Sequence, residues 1–130
     1  MAEAAWKQRY IDLFGHLPAH VQARIDLAAS ADRISALDAI ETLRDELIHH
    51  NPLERKVQQM IHLGMLLVLG HREPARLHAQ AAVKAGASAT ELHGVCETAA
   101  IVGGMPAFSL GVQVVTDALG DAQETGGEGR

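Results

Sequence analysis

The sequence predicts an all-α protein. Nearly every segment carries apolar residues at helical spacing, and no stretch shows the apolar–polar alternation that is typical of a half-buried strand. Glycine and proline residues stand where helices would end and begin. Aromatic residues make up only 3% of the chain, so the core must be built from Ala, Leu, Ile, Val and Met, which favour helices. We therefore expect one domain of about seven helices.

The first three helices are predicted before residue 50. The first ends at Gly15 and carries four large apolar residues at helical spacing, Trp6, Tyr10, Leu13 and Phe14. Pro18 starts the second helix, and Ser30 or Asp32 caps the third. The third helix ends at His49-His50 and has the cleanest amphipathic stripe in the chain, formed by Ile34, Leu37, Ile40, Leu43 and Leu47.

The fourth helix is predicted to be the most buried. Asn51 is expected to be its N-cap, Pro52 its first residue, and Gly70 its left-handed C-terminal cap. From Met60 to Leu69 the segment is apolar on nearly every side. Such a helix is covered on several faces, either by its own chain or by another subunit.

Three more helices are predicted toward the C-terminus. The fifth spans residues 74–85, and a capping box at residues 88–91 starts the sixth. The sixth ends at Gly103-Gly104, and Pro106 opens the last helix. The glycine-rich residues 121–130 are expected to form a flexible tail.

Charge and cysteine content exclude several classes of protein. The chain has 11 basic and 16 acidic residues, a formal net charge of −5, which argues against binding to nucleic acid or to a membrane surface. Cys96 is the only cysteine, so the chain has neither an internal disulfide nor a CxxC redox pair, and we expect Cys96 in the core. The N-terminus lacks a secretion-signal pattern, and the longest apolar stretch, Leu63–Gly70, is too short to span a bilayer. We expect a cytoplasmic protein.

Two of the eight histidines flank a break between helices. His71 and His78 lie around the predicted helix start at Pro74, where unpaired N–H groups and the helix dipole attract anions. Arg72 and Arg76 add positive charge there, so the segment is a candidate carboxylate pocket in which His78 could exchange a proton. The alternative is an ordinary helix corner with solvated arginines.

Two polar residues interrupt the fourth helix. Gln59 and His62 are three residues apart and therefore share one face. Either they satisfy each other and the backbone, or they line a cavity. His93 and Glu97 are spaced for metal binding, but metal-ligand patterns that share one helix face are otherwise absent. We expect no metal, with a histidine-rich metal site as a weaker alternative.

From about Asn51 to Leu119 the order of these signals resembles the carboxymuconolactone decarboxylase-like family. The resemblance rests on the run from Asn51 to Lys56, the apolar helix to Gly70, the segment from Leu77 to Ala87 that contains His78, and the turn Gly103-Gly104-Met105-Pro106-Ala107. It covers a little over half of the chain. It divides the expected domain, 1–120, into an N-terminal helical extension, 1–50, and a family core, 51–119.

The resemblance implies an all-helical subunit that assembles into a homotrimer or homohexamer, with a pocket near the subunit contacts. One branch of the family consists of thiol peroxidases with cysteines seven and four residues before the histidine. His71 and Pro74 stand at those positions here, so we do not expect a thiol peroxidase. The other branch decarboxylates a carboxylated muconolactone in aromatic-compound catabolism without a metal or organic cofactor, and its histidine, here His78, is a candidate proton carrier.

One residue departs from the family pattern. Members often have a glutamate nineteen residues before the histidine, and that position here is Gln59, which cannot carry a proton. We expect a cofactor-free lyase acting on a small carboxylated lactone or ring-cleavage product, with His78 and His71 catalytic and with Arg72, Arg76, Gln59 and His62 binding substrate. His62 is the alternative proton-transfer partner of His78. The competing hypotheses are a non-catalytic oligomeric small-molecule binding protein on the same scaffold and a related isomerase or hydrolase.

Overall fold

The computed structural model describes the backbone of residues 3–128 and the side chains of residues 3 and 5–123. This part of the chain contains six α-helices and no strand, which confirms the predicted fold class. The chain divides at Pro52 into two compact units. The N-terminal unit contains α1 (Glu3–Phe14), α2 (Ala19–Ser30) and α3 (Ile34–His49), and the C-terminal unit contains α4 (Arg55–Leu69), α5 (Arg72–Lys84) and α6 (Ala89–Glu128). The division lies close to the predicted boundary between extension and family core.

Two predicted N-caps were wrong. α3 begins after Arg33 without a side-chain cap, because the Ser30 hydroxyl donates instead to the Asp26 carbonyl within α2. α4 begins at Arg55, and the side chain of Asn51 donates to the Leu47 carbonyl at 3.0 Å. Asn51 therefore satisfies a carbonyl in the last turn of the preceding helix rather than the first turn of the next one.

The N-terminal unit turns an unexpected face of α3 inward. Leu37 and Glu41, one turn apart, are buried, whereas Ile34, Ile40, Leu43 and Leu47 of the predicted stripe are exposed. Glu41 is tolerated inside because the Tyr10 hydroxyl donates to its Oε1 at 2.7 Å. The buried face of α3 thus contains a hydrogen-bonded carboxylate, whereas hydrophobic periodicity predicted a buried face of leucine and isoleucine side chains.

In the C-terminal unit, α4 and α5 form a helical hairpin. Gly70 adopts a left-handed conformation (φ 75°), and the N–H of His71 donates to the Leu66 carbonyl at 3.1 Å, which closes the end of α4 as predicted. α5 begins at Arg72 rather than at Pro74. Pro74 falls in the first turn, where its missing N–H breaks no intrahelical hydrogen bond.

α6 consists of two arms that meet at Gly104. Gly104 has φ 79° and ψ −174°, and Pro106 follows just after the break. The ring centroids of His93 and Phe108, which lie on opposite sides of the break, are 5.6 Å apart, so the arms pack against each other. Residues 89–103 form the first arm and residues 105–128 the second, and they correspond to the sixth and seventh predicted helices.

The helix of the second arm extends into the predicted tail. Residues 121–130 were expected to form a flexible tail, but the helix continues to Glu128. Gly129 and Arg130 lie outside the described residues.

Small residues set the spacing of the C-terminal unit. Ala75, Ala79 and Ala82 of α5 are fully buried, so its backbone approaches its neighbours closely. A Cβ on Gly111 would lie only 2.6 Å from the Cys96 sulfur, which shows how tightly the two arms of α6 pack. Cys96 is buried in this core, as predicted.

One helix within residues 3–128 has the length and apolar character to cross a membrane. It spans Ala89–Gln123, with a mean hydropathy of 1.5 over its most apolar window. The break at Gly104 divides this segment into two arms that pack on each other and on α4 and α5. Only 28% of the most apolar window is buried, so much of its apolar surface stays exposed on the C-terminal unit.

The predicted capping box at the start of α6 is present. The backbone N–H of Glu91 donates to the Ser88 hydroxyl at 3.0 Å, and the N–H of Ser88 donates to the Glu91 carboxylate at 2.9 Å. The second of these bonds, together with the nearby Lys56 ammonium, holds the pKa of the Glu91 carboxyl below its ordinary value of 4.5.

We predict that Ser88→Ala lowers the free energy of unfolding by about 1 kcal/mol, because the first turn of α6 loses its capping acceptor. Urea denaturation at neutral pH measures this change. The contribution of ionised Glu91 should be complete above pH 4.5, the ordinary value of its pKa, and should be lost as the pH falls through the lower folded value.

The control for this pH dependence is Glu91→Gln, which cannot ionise. Its difference in unfolding free energy from the native sequence should shrink as the pH falls below 4.5. A difference that stays constant across that range would show that the ionised carboxylate does not stabilise the helix start.

Candidate active site

A buried hydrogen bond joins α4 to α5 at the predicted proton carrier. The Nδ1 atom of His78 lies 2.6 Å from the Oε1 atom of Gln59, whose side chain is completely buried. An amide oxygen only accepts hydrogen bonds, so the hydrogen belongs to Nδ1 of His78. The imidazole lone pair is then on Nε2, which becomes the atom that can take up a proton.

A second imidazole lies against the first. The Nδ1 atoms of His62 and His78 are 3.3 Å apart, and the rings meet edge to face with their centroids 4.8 Å apart. Because Nδ1 of His78 carries hydrogen, Nδ1 of His62 faces it with a lone pair. Both histidines are partly exposed above the buried Gln59.

The other end of the Gln59 amide is unused. Its Nε2 group is buried and has no hydrogen-bond partner among the residues that the structure describes. An unsatisfied buried donor costs about 1–3 kcal/mol, so folded proteins rarely leave one without a role. The cluster of Gln59, His62 and His78 therefore contains an amide NH2 group, with two N–H donors, that meets no acceptor in the part of the chain that the structure describes.

The two arginines of the predicted carboxylate pocket contact the second arm of α6. Arg72 donates to Gln113 at 2.6 Å, and the Arg76 guanidinium lies 4.0 Å from Asp121 and 3.6 Å from Glu73. At about 100° per residue, Arg76 points about 200° away from His78 around α5. A carboxylate site at these arginines stays a prediction, and it would lie on a different face of α5 from His78.

His71 is not the imidazole in contact with His78. It is the exposed residue that precedes α5, and seven residues of helical rise place it about 10 Å from His78 along the axis. His62 takes the partner position instead. A sequence signal for this pair exists, because His62 and His78 each lie eight residues from Gly70 and an antiparallel hairpin places such positions side by side.

An apolar concave surface lies on the opposite side of α4. An open groove of about 830 Å³ runs between α4 and the first arm of α6, and apolar side chains such as Ile61, Met65 and Val68 line it. Val68 lies nine residues after Gln59 in α4. At about 100° per residue, the two side chains point to opposite sides of the helix. A ligand in this groove would therefore not touch His78.

Sequence analysis missed one polar cluster, in the N-terminal unit. Tyr10 donates to the buried Glu41 and accepts from Arg24 at 3.1 Å, while the Arg44 guanidinium stacks 4.3 Å from the Tyr10 ring centroid. Burial and the hydrogen bond to Glu41 raise the pKa of Tyr10 to about 12. The phenol therefore stays protonated, which suits a structural role, and no spacing rule would have found a cluster drawn from three helices.

Potential metal ligands do not gather in the part of the chain that the structure describes. His93 and Glu97 form an exposed pair at 2.7 Å, as their spacing predicted. No group of three His, Cys, Asp or Glu side chains comes together within the described residues.

The fold and this cluster define a class: an all-helical bundle that holds a histidine against a polar residue one helix away. The family model of the Carboxymuconolactone decarboxylase family matches residues 34–117, and the chain belongs to this family. The match begins at Ile34 rather than near Asn51, so α3 is part of the family region and not only of an extension.

Two further proteins are similar to this chain. The crystal structure of a Burkholderia xenovorans LB400 protein, provisionally named carboxymuconolactone decarboxylase, has a TM-score of 0.76 and 25% sequence identity, over 96% of this chain and 94% of that one. An uncharacterized protein of Methanocaldococcus jannaschii is 25% identical over 84 residues, which cover 65% of this chain and 78% of the relative.

We predict that the Cys96 thiol is inert in the folded protein. It is buried, and burial raises its pKa, so little thiolate forms near neutral pH. A disulfide reagent should modify it orders of magnitude more slowly in the native state than in denaturant. Rapid native modification, or a large loss of turnover in a well-folded Cys96→Ser variant, would contradict this prediction.

Proposed function

We propose that the protein is a cofactor-free decarboxylase that acts on a small carboxylated lactone or ring-cleavage product of aromatic-compound catabolism, with His78 moving the proton. Membership of the carboxymuconolactone decarboxylase family supports the reaction class. The 2.6 Å contact between Gln59 and His78 is the observation that carries the proposal, because it places the hydrogen of the neutral imidazole on Nδ1 and makes Nε2 the atom that takes up a proton.

The reaction requires one proton and no redox step. The bond between the ring carbon and the carboxylate breaks, its electron pair moves into the conjugated system, and carbon dioxide leaves. The protonated Nε2 of His78 then supplies hydrogen to the carbon, and solvent restores the proton. A positioned proton donor of this kind contributes about 10²–10⁴-fold to rate.

Gln59 keeps His78 in one orientation during this exchange. Its Oε1 accepts the Nδ1 hydrogen in both the neutral and the charged imidazole, so only Nε2 changes protonation. A glutamate at this position would hold a positive charge on His78, whereas the neutral amide does not. The charged form of His78 is therefore stabilised less, and its Nε2 proton is transferred more readily.

A non-catalytic binding protein on the same scaffold is the second candidate. The observation that favours it is Gln59 itself, because an amide cannot relay a proton as the family's frequent glutamate could. Binding of carboxymuconolactone without release of carbon dioxide would support this alternative. A related isomerase or hydrolase would convert the compound and likewise release no carbon dioxide.

Self-assembly into a homotrimer or homohexamer in the cytoplasm is part of the proposal. Large apolar side chains stand exposed on the C-terminal unit, including Met65 in the groove and Ile101, Val102 and Met105 beside the break in α6. Exposed apolar surface of this extent usually marks an interface.

We predict that light scattering will report three or six times the 13.9 kDa chain mass at micromolar concentration. Met65→Asp places a charge in the apolar groove and should shift the protein toward monomer, since burying an unpaired carboxylate is costly. Thr116→Asp, which adds the same charge at an exposed position of the second arm, is the control. A monomeric native protein would refute the assembly.

We predict that His78→Gln lowers the rate of carbon dioxide release from carboxymuconolactone by about a hundredfold or more, with the helical content and assembly unchanged. His93→Gln makes the same change at an exposed histidine of α6 and should retain the native rate. A purely structural His78 would instead lower the melting temperature and leave the rate per folded molecule nearly unchanged. That result would remove His78 as the proton carrier.

A further inference from the structure

Gln59 has two polar ends with different environments. Its Oε1 accepts a hydrogen bond from His78 at 2.6 Å, and its Nε2 has no partner within the described residues although the side chain is completely buried. The residue that orients His78 therefore also offers N–H donors beside it. A glutamate would supply the acceptor but not the donors.

We infer that Gln59 binds the substrate as well as orienting His78, and that its Nε2 donates to the substrate oxygen on which negative charge develops as carbon dioxide leaves. This inference rests on the proposed decarboxylase and adds the group that stabilises its intermediate. Proton carrier and anion donor are then neighbouring groups of one cluster.

The position of the amide suits this role. His62 and His78 are partly exposed, and Gln59 lies beneath them in the interior between α4 and α5. A ligand oxygen bound to the Nε2 donor would therefore be held away from bulk water. Hydrogen bonds to an anion are stronger in such a site, because solvent screens them less and the donor is already in place.

The donor also defines the substrate class. When the bond to the carboxylate breaks, its electron pair must reach an electronegative atom that is conjugated with the carbon. An N–H donor stabilises that charge best on the carbonyl oxygen of a lactone or ketone, which becomes an enolate oxygen. His78 then protonates the carbon, and the electron pair returns from oxygen to form the new C–H bond. We therefore expect carboxylates placed β to a carbonyl, or conjugated with it, and not simple carboxylic acids.

Equilibrium binding tests the donor without requiring turnover. The probe is 4-nitrophenolate, a conjugated oxyanion followed by its absorbance, and 4-nitroanisole is a neutral compound of similar shape. The native protein should prefer the phenolate by about tenfold or more, because a hydrogen bond to a charged oxygen is stronger than one to an ether. Gln59→Glu keeps an acceptor for His78, removes the donor and adds a repelling charge, so this preference should disappear.

Two further variants complete the design. Gln123→Glu adds the same charge at an exposed position of α6 and should retain the native preference for the phenolate. Gln59→Met removes both polar ends at similar volume and is the replacement if Gln59→Glu does not fold. A native protein without preference for the phenolate, or an unchanged preference in either Gln59 variant, would overturn the inference.

The binding experiment and the decarboxylation assay test different claims, and each can fail without the other. If Gln59→Glu abolishes the phenolate preference but the native protein releases no carbon dioxide from carboxymuconolactone, the donor is supported and the decarboxylase assignment fails. If carbon dioxide is released and the preference is the same with and without Gln59, the decarboxylase stands and the inference is refuted.

Discussion

The hydrogen bond between Gln59 and His78 is the constraint on which the site depends. Two polar side chains occupy the contact between α4 and α5, and in an apolar interior each must be satisfied by the other or by a ligand. The bond requires the two helices to lie close together and in one register. Gly70 sets that register by ending α4 in a left-handed turn, and the buried alanines of α5 permit the short approach.

The same close packing explains the surface of the C-terminal unit. Small residues fill its interior, so the volume that large side chains would occupy inside a globular protein is not available there. Many large apolar side chains are displaced to the outside, along the groove beside α4 and around the break in α6. An alanine-rich core and an exposed surface rich in isoleucine, valine and methionine are therefore two results of one way of packing the helices.

The chemistry of the cluster follows from an amide, and not a carboxylate, facing the histidine. An amide holds the histidine in one tautomer without adding charge, and it presents a donor where a carboxylate could only accept. His62 reinforces this arrangement, since its lone pair faces the N–H of His78. Within the family fold, the amide of Gln59 thus gives the site a neutral interior and an N–H donor for an anion.

Hydrophobic spacing and local capping signals determined the fold class, the helix order and the caps at Gly70 and at Ser88–Glu91, because these depend on residues within one turn of each other. They also singled out His78, Gln59 and His62. Three features were decided only by tertiary packing. The arginines point away from His78 because the rotation of the helix and their partners on α6 position them. His62, and not His71, contacts His78 because a hairpin pairs residues at equal distance from its turn. Glu41 is buried because Tyr10, on another helix, supplies its hydrogen bond.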